Sequence, residues 1–394
     1  MAAGSQVAPV PLARARRGRV GVPRGRGTRA WAWRVRAGVG ATDGPVDVGI
    51  FDSGVGGLSV AASLLRLAPA GSVRVQYAAD TAFFPYGEKS EAEIRARVLH
   101  LGRALAGTSL GGVSLCAPPL WVAARAGARA GGGGGGRADA WAAPASARGA
   151  HGKPACGMLV VACNTASSAA LEELRAEHGP SGVGVVGVEP PLKPAALRSA
   201  RKRVAVLATA ATVAGPRLSA LCSAYGAGLD CCELIKAPGL ADLVEAAQLN
   251  GAEVDALLAR ILAPALAQGV DTIALGCTHY GFVTSAIRRV CGDGVDVIDS
   301  AGPVARHILR RLGLEESARS SVDGGAGAGE VAVAVTGAGA GQGEGNDPWA
   351  HVRDGLGIDC LCTGDPGVFA RQLEALHLAG ADLPPLRVRG RLSF

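Results

Sequence analysis

The sequence predicts an α/β fold of two similar domains, each a parallel sheet flanked by helices, with the active site in the cleft between them. Three observations predict it. Short β-type runs alternate with amphipathic helical stretches, the rhythm of parallel sheets covered by helices. The runs are continuously apolar, as strands buried on both faces are. Two of them, Met158-Leu-Val-Val-Ala-Cys163-Asn164-Thr165 and Thr272-Ile-Ala-Leu-Gly-Cys277-Thr278-His279, lie 114 positions apart and end alike in a cysteine followed by two polar residues. Ligands of open α/β sheets bind just beyond the carboxyl ends of strands, where both thiols fall.

The chain opens on a segment of different character. Nine arginines lie within residues 14–36, and no Asp or Glu precedes Asp43. Arg-rich, acid-free composition without a continuous apolar stretch is that of an organelle transit peptide, so residues 1–44 are expected to direct the protein to a chloroplast or mitochondrion. The formal net charge of +7 belongs to this segment, because the remaining 31 basic residues face 33 acidic ones, and nucleic acid is therefore not an expected partner. With 394 residues and 48% hydrophobic content the chain has enough material for two cores. No apolar run reaches the roughly 20 residues that span a bilayer, so no membrane is expected. Ten cysteines without a secretory signal point to reduced thiols, and with no C-x-x-C and no histidine pairs at helical spacing, no metal site is expected.

After the leader, Val46 to Phe51 reads as a strand, Asp52-Ser53-Gly54-Val55-Gly56-Gly57 as a glycine-rich turn, and Leu58 to Leu67 as a helix. Val73 to Ala79 is the next strand, with Pro85-Tyr86-Gly87 in the loop beyond it, and Glu88 to Leu105 is an amphipathic helix. From about 106 to 154, and again from about 320 to 345, the pattern collapses into Gly- and Ala-rich tracts that cannot build a core and read as insertions. Between them, strands are expected at Gly157 to Ala162, Val183 to Val188, Val204 to Ala208, Thr272 to Leu275 and Val295 to Ile298, with helices such as Ala169 to Glu177 and Glu253 to Leu266. One domain would take residues 46–188 and 299–394, the other 189–298.

Two thiols presented from opposite sides of a cleft suit an enzyme that removes a proton from one face of a carbon and returns one to the other. Taken singly, an apolar-flanked cysteine is most often inert core, His279 a hydrogen-bonded structural histidine, and Asp52 a helix cap. The duplicated context is what reverses that reading for Cys163 and Cys277.

Five segments in order, Phe51-Asp-Ser-Gly-Val-Gly-Gly57, Phe84-Pro-Tyr-Gly-Glu-Lys-Ser90, Ala162-Cys-Asn-Thr-Ala166, Gly187-Val-Glu-Pro190 and Gly276-Cys-Thr-His-Tyr280, resemble the signature segments of the glutamate racemase family. Val297-Ile-Asp-Ser-Ala301 and Thr363-Gly-Asp-Pro366 resemble its later landmarks. Gly281 departs from the family's usual proline, and Phe83 stands where many relatives carry a polar residue.

The resemblance implies a cofactor-independent isomerase acting on free glutamate, with D-glutamate destined for peptidoglycan, and a possible homodimer. It implies Cys163 and Cys277 as the two bases, serving D- and L-glutamate respectively, with Asp52 assisting Cys163 and Glu189 paired to His279 beside Cys277. It places Ser53 at the amino group, Asn164, Thr165 and Thr278 at carboxylates, Thr209 at the second carboxylate, and Pro85, Tyr86 and Gly87 along one wall. Two readings stay open beside it: an aspartate or broad-specificity racemase of the same superfamily, and a non-catalytic regulatory protein on the same scaffold.

Overall fold

The computed structural model describes residues 45–107, 156–315 and 357–392. The leader at 1–44 and, apart from Ala106 and Gly107, the tracts at about 106–154 and 320–345 lie outside the described residues.

The first stretch contains strands β1 (Val46–Asp52) and β2 (Val73–Ala79) and helices α1 (Leu58–Leu67) and α2 (Glu91–Leu105). The longest stretch runs β3 (Met158–Val161), α3 (Asn164–His178), β4 (Gly184–Gly187), α4 (Leu192–Arg198), β5 (Arg203–Ala208), α5 (Ala210–Ala214) and α6 (Pro216–Tyr225). It continues through β6 (Cys231–Lys236), α7 (Leu240–Glu245), α8 (Ala252–Ala267), β7 (Thr272–Leu275), α9 (Thr284–Cys291), β8 (Asp296–Ile298) and α10 (Ala301–Leu312). The last holds β9 (Ile358–Cys362), α11 (Pro366–Leu378) and β10 (Leu386–Arg391).

Among the described residues ten strands form two wholly parallel sheets, one ordered β10-β9-β2-β1-β3-β4 and the other β6-β5-β7-β8. The expected α/β class is therefore observed. The central strands β1, β3, β5 and β7 are buried almost throughout, which is why they read as unbroken apolar runs. One apolar cluster runs from Ile50, Leu58 and Tyr77 on the first sheet's side to Leu207, Ile273 and Leu275 on the second's, so the halves share a core.

Local chemistry fixes the element ends. Helix α2 starts at Glu91 rather than Glu88, because Ser90 and Glu93 form a reciprocal capping box and Tyr86–Glu88 winds into a separate 3-10 turn. Asp365 caps α11 by accepting from Val368 N at 2.8 Å, with Pro366 at the first helical position. Helix α7 ends in a Schellman turn, Gln248 N bonding Leu243 O at 2.8 Å and Ala247 N bonding Val244 O at 2.9 Å. That turn requires a left-handed residue, here Ala247 at φ 57°, and it sets where Glu245 points. Strands β6, β9 and β10, which the sequence reading did not single out, are either edge strands or pair next to one, and their mixed burial gives no continuous apolar signal. Among the described residues no helix is long and apolar enough to cross a membrane.

Candidate active site

The two cysteines occupy matching positions. Each follows a strand by one residue in extended conformation, Cys163 at φ −119° after β3 and Cys277 at φ −144° after β7, and each precedes a helical turn. Both are 8% exposed. Hydrogen bonds across the two halves join these carboxyl edges: Thr278 Oγ1 donates to Asp52 Oδ2 at 2.8 Å, Val55 N donates to Glu245 Oε1 at 2.7 Å, and the Thr165 and Thr209 hydroxyls lie 3.4 Å apart.

On the Cys277 side, His279 Nδ1 lies 3.7 Å from the sulfur and Nε2 lies 2.7 Å from Glu245 Oε1. Burial works against a charged imidazole, but the hydrogen bonds to Cys277 and Glu245 and their charges outweigh it and hold His279 well above the usual histidine range. Glu245 is the converse case. Burial pushes its carboxyl up, yet His279, the Val55 amide and Gln372 bring it net below the usual carboxylate range. The two shifts run toward a carboxylate–imidazolium pair, with the imidazole Nδ1 facing the Cys277 sulfur.

This geometry corrects the expected Glu189–His279 pairing. Glu189 is exposed and lies 3.4 Å from Arg217, whereas the carboxylate on His279 is that of Glu245. Glu189 leaves the end of β4 toward Pro190 and Pro191 and faces solvent. Glu245, the last residue of α7, is carried to the imidazole by the helix end.

The glycine-rich turn lies directly against this pair. A Cβ on Gly54 would come 1.8 Å from Glu245 Oε1, and one on Gly56 would come 2.3 Å from His279 Nδ1. The glycines are there because the turn's backbone packs where side chains would collide with His279 and Glu245.

On the Cys163 side, Asp52 is fully buried at the end of β1, its Oδ1 accepting from Ser53 N at 2.5 Å and Ser53 Oγ at 3.1 Å. Burial raises its pKa, against the pull of His279, Thr278 and Ser53. The Cys163 thiol is pushed well above its ordinary value by burial first and by the Asp52 charge second, with the Ala166 and Thr165 amides opposing. The sites therefore have opposite settings: one thiol beside a cation, the other beside a buried carboxyl and held as the neutral acid.

Polar groups for a small ligand lie around them. Both polar atoms of the Asn164 side-chain amide are buried with no hydrogen-bond partner, at the start of α3 beside Cys163. Buried polar atoms are normally hydrogen-bonded, and these two amide atoms lie beside the Cys163 thiol. Thr165, Thr209 and Thr212 form a trio of hydroxyls with separations of 3.4, 3.4 and 3.0 Å. Thr212 was missed in the sequence, where only its spacing in Thr209-Ala-Ala-Thr212 offered a signal. Gly87 faces Thr209, its would-be Cβ 3.9 Å from Thr209 Cβ, and Tyr86 is fixed by donating to Asp80 Oδ2 at 2.8 Å after Pro85. Of the expected residues, the structure gathers Asp52, Ser53, Pro85, Tyr86, Gly87, Cys163, Asn164, Thr165, Thr209, Cys277, Thr278 and His279 around the junction of the two halves, and leaves out Glu189. Among the described residues no group of three or more His, Cys, Asp or Glu is placed to hold a metal ion.

Two parallel sheets whose carboxyl ends each present a cysteine, one facing the His279–Glu245 pair and one near the buried Asp52, fit the class of amino-acid racemases to which comparison leads. The family model described as Asp/Glu/Hydantoin racemase matches residues 123–308. The chain is 38% identical over 265 residues to a glutamate racemase of Pseudomonas paraeruginosa (strain DSM 24068 / PA7), covering 67% of this chain and 81% of that protein. It is 35% identical over 269 residues to one of Cupriavidus pinatubonensis, covering 68% and 79%. Among solved structures it resembles Escherichia coli glutamate racemase in complex with L-glutamate and the activator UDP-MurNAc-ala, with a TM-score of 0.58 and 25% identity over 89% of this chain and 98% of that one. The chain belongs to the glutamate racemase family and is an isomerase.

Proposed function

We propose that the protein interconverts L- and D-glutamate by proton transfer between two thiols, without a cofactor. The observation that carries this is the pairing of Cys277 with the His279–Glu245 ion pair on one side and of Cys163 with the buried Asp52 on the other. Cys277, as thiolate beside the imidazolium, takes the Cα proton of L-glutamate, and the Cys163 thiol delivers its proton to the opposite face. The reverse reaction exchanges these roles. A free thiol has a pKa of about 8.5 and an amino-acid Cα–H is far less acidic, so the carbanion must be stabilised where it forms. The start of α3, with the unpartnered Asn164 side chain, is suited to the α-carboxylate on which the charge develops. Ser53, by its position in the Asp-Ser-Gly motif, would hold the substrate amino group, and Thr278 bonds Asp52 beside it. The Thr165, Thr209 and Thr212 hydroxyls suit the second carboxylate.

Circular-dichroism assays of L- and D-glutamate with the full chain, and with Cys163→Ala and Cys277→Ala, test this. Racemisation in both directions that either substitution abolishes is the expected outcome; faster turnover of aspartate, or activity surviving either substitution, would refute it. The product is suited to peptidoglycan precursor synthesis, and residues 1–44 to delivery into a plastid. A fluorescent protein fused behind residues 1–45 should reach the organelle, and cytosolic fluorescence would rule the delivery out.

A further inference from the structure

The Glu245–His279 pair is held from outside the cleft by a residue with no place in the chemistry described above. Gln372, on α11, donates through Nε2 to the Glu245 main-chain oxygen at 2.8 Å and also to Glu245 Oε2. Glu245 Oε1 is already shared between Val55 N and His279 Nε2. Each carboxylate oxygen therefore has defined donors, and two of the three, Val55 and Gln372, come from segments built on the first sheet. Because α11 follows β9, the Glu245 on which His279 depends is positioned across the junction by the other half of the molecule.

Without Gln372 the carboxylate would be loosely held. Behind Glu245 lies a cavity of about 320 Å³, lined also by Thr81, Phe84, Ala247, Val368 and Ala375. These residues are chiefly apolar, and Gln372 is the side-chain amide among them. Removing its donor leaves Oε2 facing this space without a partner, with the carboxylate held only through Oε1 by Val55 N and His279 Nε2. The Phe84 ring, 5.7 Å from the imidazole centroid, covers His279 but offers it no hydrogen bond.

We propose that Gln372 is a positioning residue for the Cys277 half-reaction, acting through Glu245 and His279 to keep the imidazolium aimed at the Cys277 sulfur. The inference rests on the two-thiol reading. It separates Gln372 from a residue that merely stabilises the fold, because loss of its contact should slow one of the two proton transfers and leave the other. Enantiomers have equal free energy, so kcat/KM must fall equally in both directions whichever thiol is impaired. The asymmetry appears instead in the primary isotope effects. If the Cys277 step becomes slower, the isotope effect on kcat/KM rises for L-[2-²H]glutamate relative to that for D-[2-²H]glutamate.

Full-chain wild type, Gln372→Met and Gln372→Glu are compared by racemisation, isotope effects in both directions and thermal melting. A hydrogen bond to a charged group is lost in Gln372→Met, so kcat/KM should fall about tenfold, with the L-to-D ratio of isotope effects raised. Gln372→Glu sets a second carboxylate against Glu245 and should be at least as impaired at neutral pH. The ionisable groups around that site are His279, Asp52 and Tyr77, with Cys277 beyond the imidazole and Asp242 on α7. On acidification a proton shared by the two carboxylates restores the missing donor, so activity relative to wild type at the same pH should recover. A folded Gln372→Met within twofold of wild type, an unchanged isotope-effect ratio, or no relative recovery of Gln372→Glu would overturn this inference alone. Wild type that does not racemise glutamate, or racemisation surviving Cys277→Ala, would overturn it together with the two-thiol reading.

Discussion

Replacing Gly56 by alanine adds one carbon where the structure has no room for it. Its Cβ would lie 2.3 Å from His279 Nδ1 and 2.7 Å from both His279 Cε1 and Thr278 Oγ1, whereas ordinary van der Waals contact begins near 3.4 Å. The imidazole would have to retreat by about 1 Å, and the atom in the way is the one that faces Cys277. Nor is the ring free to swing: Glu245 Oε1 holds Nε2 at 2.7 Å, the Phe84 ring lies over it, and His279 itself is 2% exposed. The turn can move instead, but Gly56 O accepts from Ser59 N at 3.1 Å and Ser59 Oγ at 2.8 Å, so moving it disturbs the start of α1. Misplacement of a catalytic group by about 1 Å is associated with losses of order 100-fold, while overpacking of this size costs about 1–3 kcal/mol of stability. Gly56→Ala should therefore remain folded with a modestly lowered Tm and lose about two orders of magnitude in kcat/KM for glutamate, measured by circular dichroism. Gly281→Ala is the control, because its Cβ would meet only Ser59 at 3.8 Å, and near-normal activity is expected. Gly56→Ala within threefold of wild type, or Gly281→Ala equally impaired, would refute the reasoning.

Three further outcomes are expected. Because His279 is raised in the folded state, its stabilisation is complete below its unfolded value of 6.5 and is lost as pH rises through the folded value; Glu245, lowered from 4.5, contributes fully above that value and loses its contribution as pH falls through the folded one. The Tm gap between wild type and Glu245→Gln should then be widest at about pH 5–6 and narrow toward alkaline pH, and a gap that does not vary with pH would contradict the ion pair. Ala247→Gly relieves the left-handed conformation at φ 57° and should raise stability by about 1 kcal/mol in thermal or denaturant unfolding. Asp80, fully buried, accepts from Arg97, Tyr86 and Thr363, so Arg97→Met strands its carboxylate and should cost about 3 kcal/mol by denaturant titration.

Much of the site was legible because its residues are consecutive in the chain. Cys163-Asn164-Thr165 and Cys277-Thr278-His279 each begin two residues past the end of a buried strand, so strand end and functional group are read together. Asp52 and Ser53 end β1 in the same way. Glu245 offered no such signal. It closes the short amphipathic run Leu240-Ala-Asp-Leu-Val-Glu245, 34 residues before His279, and nothing near it in sequence distinguishes it from a solvated helix end. Glu189, in a segment of family resemblance, drew the assignment instead. Gln372 is more remote still, 127 residues beyond Glu245.

The sequence by itself determined which segments become buried parallel strands, because burial on both faces demands apolar residues at every position, and which strand ends carry thiols. The caps at Ser90 and Asp365 are local as well, each a bond between near neighbours, although the sequence reading begins the first of these helices at Glu88. Which carboxylate meets His279, why Gly56 tolerates no side chain, and how α11 reaches across to Glu245 were decided by tertiary structure. Those contacts join residues separated by tens to hundreds of positions, and they exist only once the shared core has brought the carboxyl edges of the two sheets together.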